Sequence, residues 1–465
     1  SGRNGRMNRR IILRSAYLAA CMLLLFTSLR ANQERQPNII LIMVDDMGYA
    51  DLECYGSGVI RTPNIDRMAV EGIRFTDAYS GSCVCAPARS TLMTGRHAGH
   101  TSVRGNTGGI PLLDADVTIA EILKKAGYAT GGFGKWGLGD IDTPGAPEKQ
   151  GFDVFFGYYH QIHAHNYYPE YLVRNGQKVR LSGEKEERYS HYLILKEMLA
   201  FIRENRDRPF FCYAPWTPPH GKYQIPDSEP ALKSYGDLEG SARVIAAMIS
   251  MIDAHVGEVI ELLKELEIDD DTIIFFCSDN GAGDRTEGVL NSSGPLRRQK
   301  GTMNEGSLRV PMIVRWPGRL EGGRVSDHPW YFPDVLPTLA EIGGGEEFVP
   351  GEIDGISVLP TLTGSGEQAA HECLYWEWLP YDWSKKRYDP DRLMQAVRCG
   401  DLKMLRHRRD EPWKLFDLSR DVGEIRDVAR SHPDVVEKLS AWIDANRHDP
   451  PPQEEPEKPK DKSFR

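Results

Sequence analysis

Two apolar runs that each end in adjacent oxygen-bearing residues constrain this chain most. NIILIMV over 38–44 runs into Asp45-Asp46, and DTIIFFCS over 271–278 runs into Asp279-Asn280-Gly281. A run with no polar side reads as a parallel strand buried on both faces, with its polar residues at the carboxyl end. In open α/β sheets that end is where ligands bind. Further short runs, YATGGFG from Tyr128, PFFCYAP from Pro209 and VPMIVRWPG from Val310, alternate with helical patterns over 65–71, 117–126, 189–205 and 241–266. The alternation predicts an α/β fold over residues 37–365, a large mixed, mostly parallel sheet flanked by helices.

After the Gly/Ser/Pro-rich stretch at 360–366 the texture changes to short strands, ECLYWEW, LMQAVRCG, DLKMLRH and PWKLFDL, and a closing helix over 434–446. This predicts a smaller C-terminal α+β subdomain, 366–448, containing an antiparallel sheet. Residues 449–465 are proline-rich and charged, a composition expected to be disordered. At the other end, residues 1–31 hold six arginines, no acid and an apolar run over 16–29 that is short for a membrane span. They read as a secretory signal peptide started at Met7, so export to a periplasmic or extracellular space is expected, with no stable membrane span after cleavage. LAAC at Cys21 resembles a lipoprotein site, but the most apolar residues follow the cysteine, which favours ordinary export over lipid anchoring.

Loss of the six arginines takes the formal charge from −10 to −16, which leaves no footprint for nucleic acid. An anionic substrate then needs a local cationic pocket. Eight cysteines in a chain this long do not make a disulfide scaffold, and their pairing is not legible.

The two acidic strand ends, meeting at one sheet edge, make an all-oxygen site for a hard divalent cation. Either pair alone reads as a cap or turn; both together, each after a buried strand, favour the metal. The pair Cys83-x-Cys85 lacks partners for a zinc site and is too close for an unstrained disulfide. The longer string CAPARSTLMTGR, 85–96, resembles the signature of the type I sulfatases of the alkaline-phosphatase-like superfamily, in which the first cysteine is oxidised to formylglycine by a maturation enzyme. The resemblance continues in order along the chain: Lys135 in GKWGLG, His220 in APWTPPH and Lys300 in LRRQKGTMNEGSLRVP.

That resemblance implies calcium-dependent hydrolysis of sulfate esters, with a formylglycine hydrate made from Cys85 as nucleophile and inorganic sulfate released. It implies calcium ligands at Asp45, Asp46, Cys85, Asp279 and Asn280. It implies a positioning role for Arg89, a sulfate grip by Lys135, His220 and Lys300, and protonation of the leaving alcohol by His220 or Lys300. Cys83 is a bystander.

There are two departures. Ala88 stands where serine is common, and Gly137 stands where many relatives have a histidine that helps to expel sulfate. In HQIHAHNYYPEY, either His163 or His165 takes that part or these histidines only line the entrance to the site. The partner implied is a sulfated small molecule or glycan, with LYWEWLPYDW (374–383) read either as a sugar platform or as alternating strand residues on a core. Two rivals stand beside this reading: a phosphomonoester or phosphonate hydrolase of the same superfamily, and a non-catalytic calcium-dependent glycan-binding relative.

Overall fold

The sequence alternation resolves into a ten-stranded sheet whose middle strand is Asn38–Val44. In this computed structural model, residues 35–450 are described apart from 107, 284–287, 383 and 386. The expected signal peptide, Cys21 and residues 451–465 lie outside the described residues. Across the sheet the strands run Arg324–Ser326, Ile73–Phe75, Met312–Arg315, Thr272–Ser278, Asn38–Val44, Phe210–Trp216, Ala129–Lys135, Val154–Tyr158, Tyr171–Arg174 and Gln177–Arg180.

The five from Thr272–Ser278 to Val154–Tyr158 are mutually parallel, so their carboxyl ends share one edge. Val44 pairs with both Ser278 and Trp216, which sets the residues that follow each strand side by side. Met312–Arg315 is antiparallel to its neighbours, and a hairpin (Tyr171–Arg174, Gln177–Arg180) extends the far edge. The sequence pattern gave no sign of that hairpin, because Gln177–Arg180 is exposed along its whole length.

Unbroken apolarity in the central strands has a simple cause. Ile39, Leu41, Met43, Phe211, Tyr213 and Phe275 face a core with helices Cys85–Thr94, Ile119–Lys125 and Val335–Gly343. Ile40, Ile42, Val44, Phe210, Cys212 and Phe276 face a second core with Pro63–Val70, Ser190–Asn205 and Gly240–Glu265. With a side-chain period of two, a strand buried on both faces needs apolar residues at every position. Each such residue contributes about 1.5–3 kcal/mol, and Phe275→Ala costs roughly 3–5 kcal/mol.

A second sheet, Leu374–Trp378, Met394–Cys399, Leu402–Arg406 and Lys414–Asp417, is antiparallel throughout. One face packs under helix Pro433–Ala445 through Leu439 and Ile443. Its other face meets Tyr79, Cys83, Val84, Met303 and Leu308 through Leu374, Trp376, Ala396 and Leu405. Cys373 and Cys399, beside the paired residues Leu374 and Arg398, form a disulfide that the sequence did not disclose. Tyr375 and Trp376 lie in these cores, so the centre of the aromatic run is packing and not a sugar platform; Trp383 lies outside the described residues. Among the described residues no helix is long and apolar enough to cross a membrane.

Candidate functional site

The shared strand edge explains why residues far apart in sequence meet. Asp45-Asp46 leave Asn38–Val44, Asp279-Asn280 leave Thr272–Ser278, Lys135 ends Ala129–Lys135, and His220 follows Phe210–Trp216 past a cis Pro218–Pro219 bond. Asp46 turns the chain with φ 68°, a left-handed conformation that Asp tolerates better than most residues.

Cys85 opens the helix Cys85–Thr94, which has no apolar period in the sequence. Val84 is extended as its N-cap, Pro87 sits in the first turn where no N–H is needed, and Gly95 closes it at φ 66°. Cys85 and Arg89 are four residues apart, so they share one helix face. That face points at the acidic strand ends.

The buried pole is an ionic lattice. Arg89 donates through Nε and Nη2 to Asp279 Oδ2 (3.2 and 2.8 Å), lies 3.3 Å from Asp45 Oδ2, and donates to the Lys135 carbonyl. Lys135 Nζ bonds Asp45 Oδ2, and Arg89, Lys135 and Asp45 have no exposed side-chain surface. Burial alone would raise the Asp45 pKa, but Lys135, His220, Arg89 and Lys300 together hold it well below the usual range. For Asp279, burial and then the Asp45 charge prevail over Arg89 and push the pKa up to about 6.

The outer pole is the more exposed side of the cluster. Lys300 Nζ bonds Asp46 Oδ1 and stands 3.1 Å from Cys85 Sγ, which is 3.2 Å from Asp45 Oδ1. His220 Nε2 is 3.6 Å from Asp46 Oδ2. Side-chain exposures of 18% for Lys300, 13% for His220 and 9% for Asp46, against none at Asp45, define the open side. Burial, then Asp279 and Asp45, raise the Cys85 pKa well above the ordinary thiol value, so the encoded thiol stays protonated. Burial, helped by Lys135 and Lys300 and opposed by Asp45, lowers His220 to about 3.

The donor set fits a hard divalent cation. Three carboxylates converge, and Asn280 Oδ1 is buried without a hydrogen-bond partner while its Nδ2 donates to Asp46 Oδ1 (2.8 Å) and the Gly281 carbonyl (2.9 Å). Exchanging the two ends of that amide turns an oxygen toward Asp46. Asp45, Asp46 and Cys85 also group with His220 as potential metal donors. Arg89, Lys135 and Lys300 balance the charges of Asp45, Asp46 and Asp279, so an added divalent cation leaves the site positive toward an anionic ester.

The two candidate histidines separate. His163 is buried with its ring 5.1 Å from that of Tyr158 and 4.5 Å from that of Tyr171. His165 stacks on His220 at 4.4 Å between ring centroids and 20° between planes, and burial followed by Lys135 and His220 lowers its pKa to about 3. Gly137 has φ 79°, and a Cβ there would lie 2.5 Å from Gln161 Oε1. Gln161 thus fills the space beside Gly137. Its Nε2 donates to Asn106 Oδ1 (2.6 Å), which also accepts from the Ala86 amide (3.0 Å). Sequence reasoning missed Asn106 and Gln161, since neutral amides carry no motif; the glycine at 137 was the available signal. Cys83 packs in the core shared with the second sheet, and its carbonyl accepts from the Gly301 amide beside Lys300.

Five parallel strands that gather carboxylates and cations at one edge, facing a cysteine at the first position of a helix, define a hydrolase of anionic esters. A family model described as Sulfatase matches residues 37–345, and one described as N-sulphoglucosamine sulphohydrolase, C-terminal, matches 298–449. Human arylsulfatase A is 32% identical over 466 aligned residues, covering 87% of this chain and 86% of its own. Human N-acetylgalactosamine-6-sulfatase is 32% identical over 455, covering 87% and 84%. Among solved structures, Ps i-CgsB in complex with k-i-k-neocarrahexaose superposes with a TM-score of 0.76 at 28% identity, covering 90% of this chain and 95% of that one. The chain belongs to the sulfatase family and is a sulfuric ester hydrolase. A phosphonate monoester hydrolase of Agrobacterium radiobacter, at 20% identity and TM-score 0.68, shares the fold.

Proposed function

We propose that the chain hydrolyses sulfate esters of carbohydrates after Cys85 has been converted to formylglycine by a maturation enzyme, with Ca2+ held by Asp45, Asp46, Asp279, Asn280 and residue 85. The observation that carries this reading is Cys85 at the start of its helix, within 3.2 Å of Asp45 and 3.1 Å of Lys300. Replacing its sulfur by oxygen makes the ligand set all-oxygen, as a hard cation prefers. Formylglycine supplies a hydrated carbonyl as nucleophile, and Ca2+ supplies Lewis acidity.

The chain's own residues do the rest. Arg89 fixes Asp45 and Asp279 through its guanidinium and so orients the ligands. Lys135 and Lys300 supply positive charge from the buried and open sides, where it opposes the charge developing on the sulfate oxygens. His220, on the open side, reaches the leaving oxygen; Lys300 is the other donor placed there. We assign the part left open by Gly137 to His165, supported by its stack on His220.

The domain limits, 37–365 and 366–448, belong to the same proposal, supported by a second sheet that begins at Leu374. Export is supported by the disulfide Cys373–Cys399, since such bonds persist in oxidising compartments. A carbohydrate substrate is supported by the oligosaccharide complex of Ps i-CgsB and the amino-sugar specificity named for the human relative.

Mass spectrometry of the tryptic peptide ending at Arg89, from protein made in its native compartment, tests the nucleophile. An aldehyde at position 85 is expected, together with sulfate release from an aryl sulfate in preference to phosphate release from an aryl phosphate. A residue 85 that stays a thiol in fully active protein would refute the proposal. Under turnover, His165→Ala protein is expected to accumulate sulfate on residue 85, and His163→Ala protein is not.

A further inference from the structure

On the far side of Tyr223 from Asp46 lies a cleft of about 550 Å³ lined by Tyr168, Lys185, Tyr223, Lys233, Arg243 and Asp227. That volume lies in the range of small-molecule sites. Tyr223 belongs both to this cleft and to the recess against Asp46. Tyr223 donates from its hydroxyl to the Gly283 carbonyl (3.3 Å), and a Cβ on Gly283 would lie 3.1 Å from Asp46 Oδ2, so Gly283 links the cleft wall to the acidic centre.

The cleft is tied to His220. Tyr167 donates from its hydroxyl to the His220 carbonyl (2.9 Å) and from its amide to Gln224 Oε1 (3.2 Å), and Tyr189 donates to the Gln224 carbonyl (3.0 Å). Tyr223 is held at φ 44°, a conformation aromatic residues seldom adopt. Three cations face one acid there, in a chain of net charge −10, which reverses the global field locally. Lys185 Nζ stands 5.2 Å from the Tyr168 ring centroid, and Arg243 donates to the Leu232 carbonyl. Cations beside aromatic faces suit an anionic sugar ring.

We propose that this cleft is an anion subsite that receives a second sulfate or carboxylate of a sulfated carbohydrate whose scissile sulfate lies at Lys135, His220 and Lys300. It rests on the sulfate-ester reading and narrows it: the substrate is a polyanionic saccharide, and a simple aryl sulfate uses only half of the site.

Calorimetry on Cys85→Ala protein, which cannot turn substrate over, with sucrose octasulfate and glucose 6-sulfate tests this. At an ionic strength of about 0.01 M the octasulfate is expected to bind at least tenfold more tightly, and the advantage shrinks at about 0.1 M as screening shortens. In the same background, Lys185→Gln/Lys233→Gln/Arg243→Gln removes the advantage. Lys185→Gln/Lys233→Gln, which keeps the Arg243 bond to Leu232, reduces it by about fivefold or more if each cation contributes roughly 0.5–1 kcal/mol. Equal affinity for the two sugars, or an advantage that survives the triple variant with an unchanged melting curve, overturns the proposal. If unmutated, matured protein releases no sulfate from an aryl sulfate while the advantage holds, the hydrolase reading falls and the subsite stands.

Discussion

Placing a side chain at Gly137 tests whether the missing family histidine is a local accident or part of the packing. Gly137→Ala meets two costs. An L-residue held at φ 79° loses about 1–2 kcal/mol relative to glycine. Its Cβ, at 2.5 Å from Gln161 Oε1, expels the amide, and the bond from Gln161 Nε2 to Asn106 Oδ1 is lost, about 0.5–1.5 kcal/mol. The sum is about 1.5–3.5 kcal/mol, which for a chain of this length lowers Tm by roughly 1.5–4 °C. Urea unfolding of Gly137→Ala, Gln161→Ala and the double variant measures the coupling. Removing Gln161 relieves the collision but not the backbone cost, so a favourable coupling of about 1 kcal/mol is expected. Gly137→Ala within 0.5 kcal/mol of the parent, a bound taken from the usual spread of innocuous substitutions, or no coupling with Gln161→Ala, would refute the reasoning.

Chelation of divalent ions is expected to abolish sulfate release and lower Tm; restoring Ca2+ to about 100 times its Kd returns about 2.7 kcal/mol, read by thermal melts. Lys403→Met leaves buried Glu305 and Glu424, now 2.8 and 3.1 Å from its ammonium, short of a cation. About 3 kcal/mol of stability is expected to go, with part returned by adding Glu424→Gln, and turnover drops because Asn304 and Glu305, near Lys300, hang on Glu424. His97 is buried, and that burial, with His100 adding and Asp354 opposing, lowers its pKa to about 4. The unfolded chain then binds the extra proton between pH 6.5 and 4, so this contribution is complete above the unfolded value and about 3 kcal/mol is lost as pH falls through the window. A pH series of melting temperatures for His97→Gln is expected to be flatter there than that of the parent.

Much of the fold was legible because burial on both faces leaves a mark at every position. The helix expected over 189–205 is Ser190–Asn205, and that expected over 241–266 is Gly240–Glu265. The edge strand Gln177–Arg180, exposed throughout, left no such mark, and the helix Cys85–Thr94 hid because all ten of its residues are buried and it has no polar stripe to set a period. At the site, charged residues with motif spacing were legible. Gln161 and Asn106 were not, since their importance is the shape they fill beside a glycine and not a charge.

By itself the sequence marked the residues to which the chemistry is here assigned: strand ends rich in oxygen, a cysteine with an arginine one turn on, and cations in fixed order along the chain. Those follow from local chemistry, which each segment carries wherever it lies. Only the tertiary structure decided which histidine stands at His220, what occupies the space beside Gly137, which cysteines are joined, and that a cationic cleft adjoins the acidic centre. Each depends on segments tens to hundreds of residues apart that the parallel sheet brings to one edge, and such distances are set by packing and not by spacing along the chain.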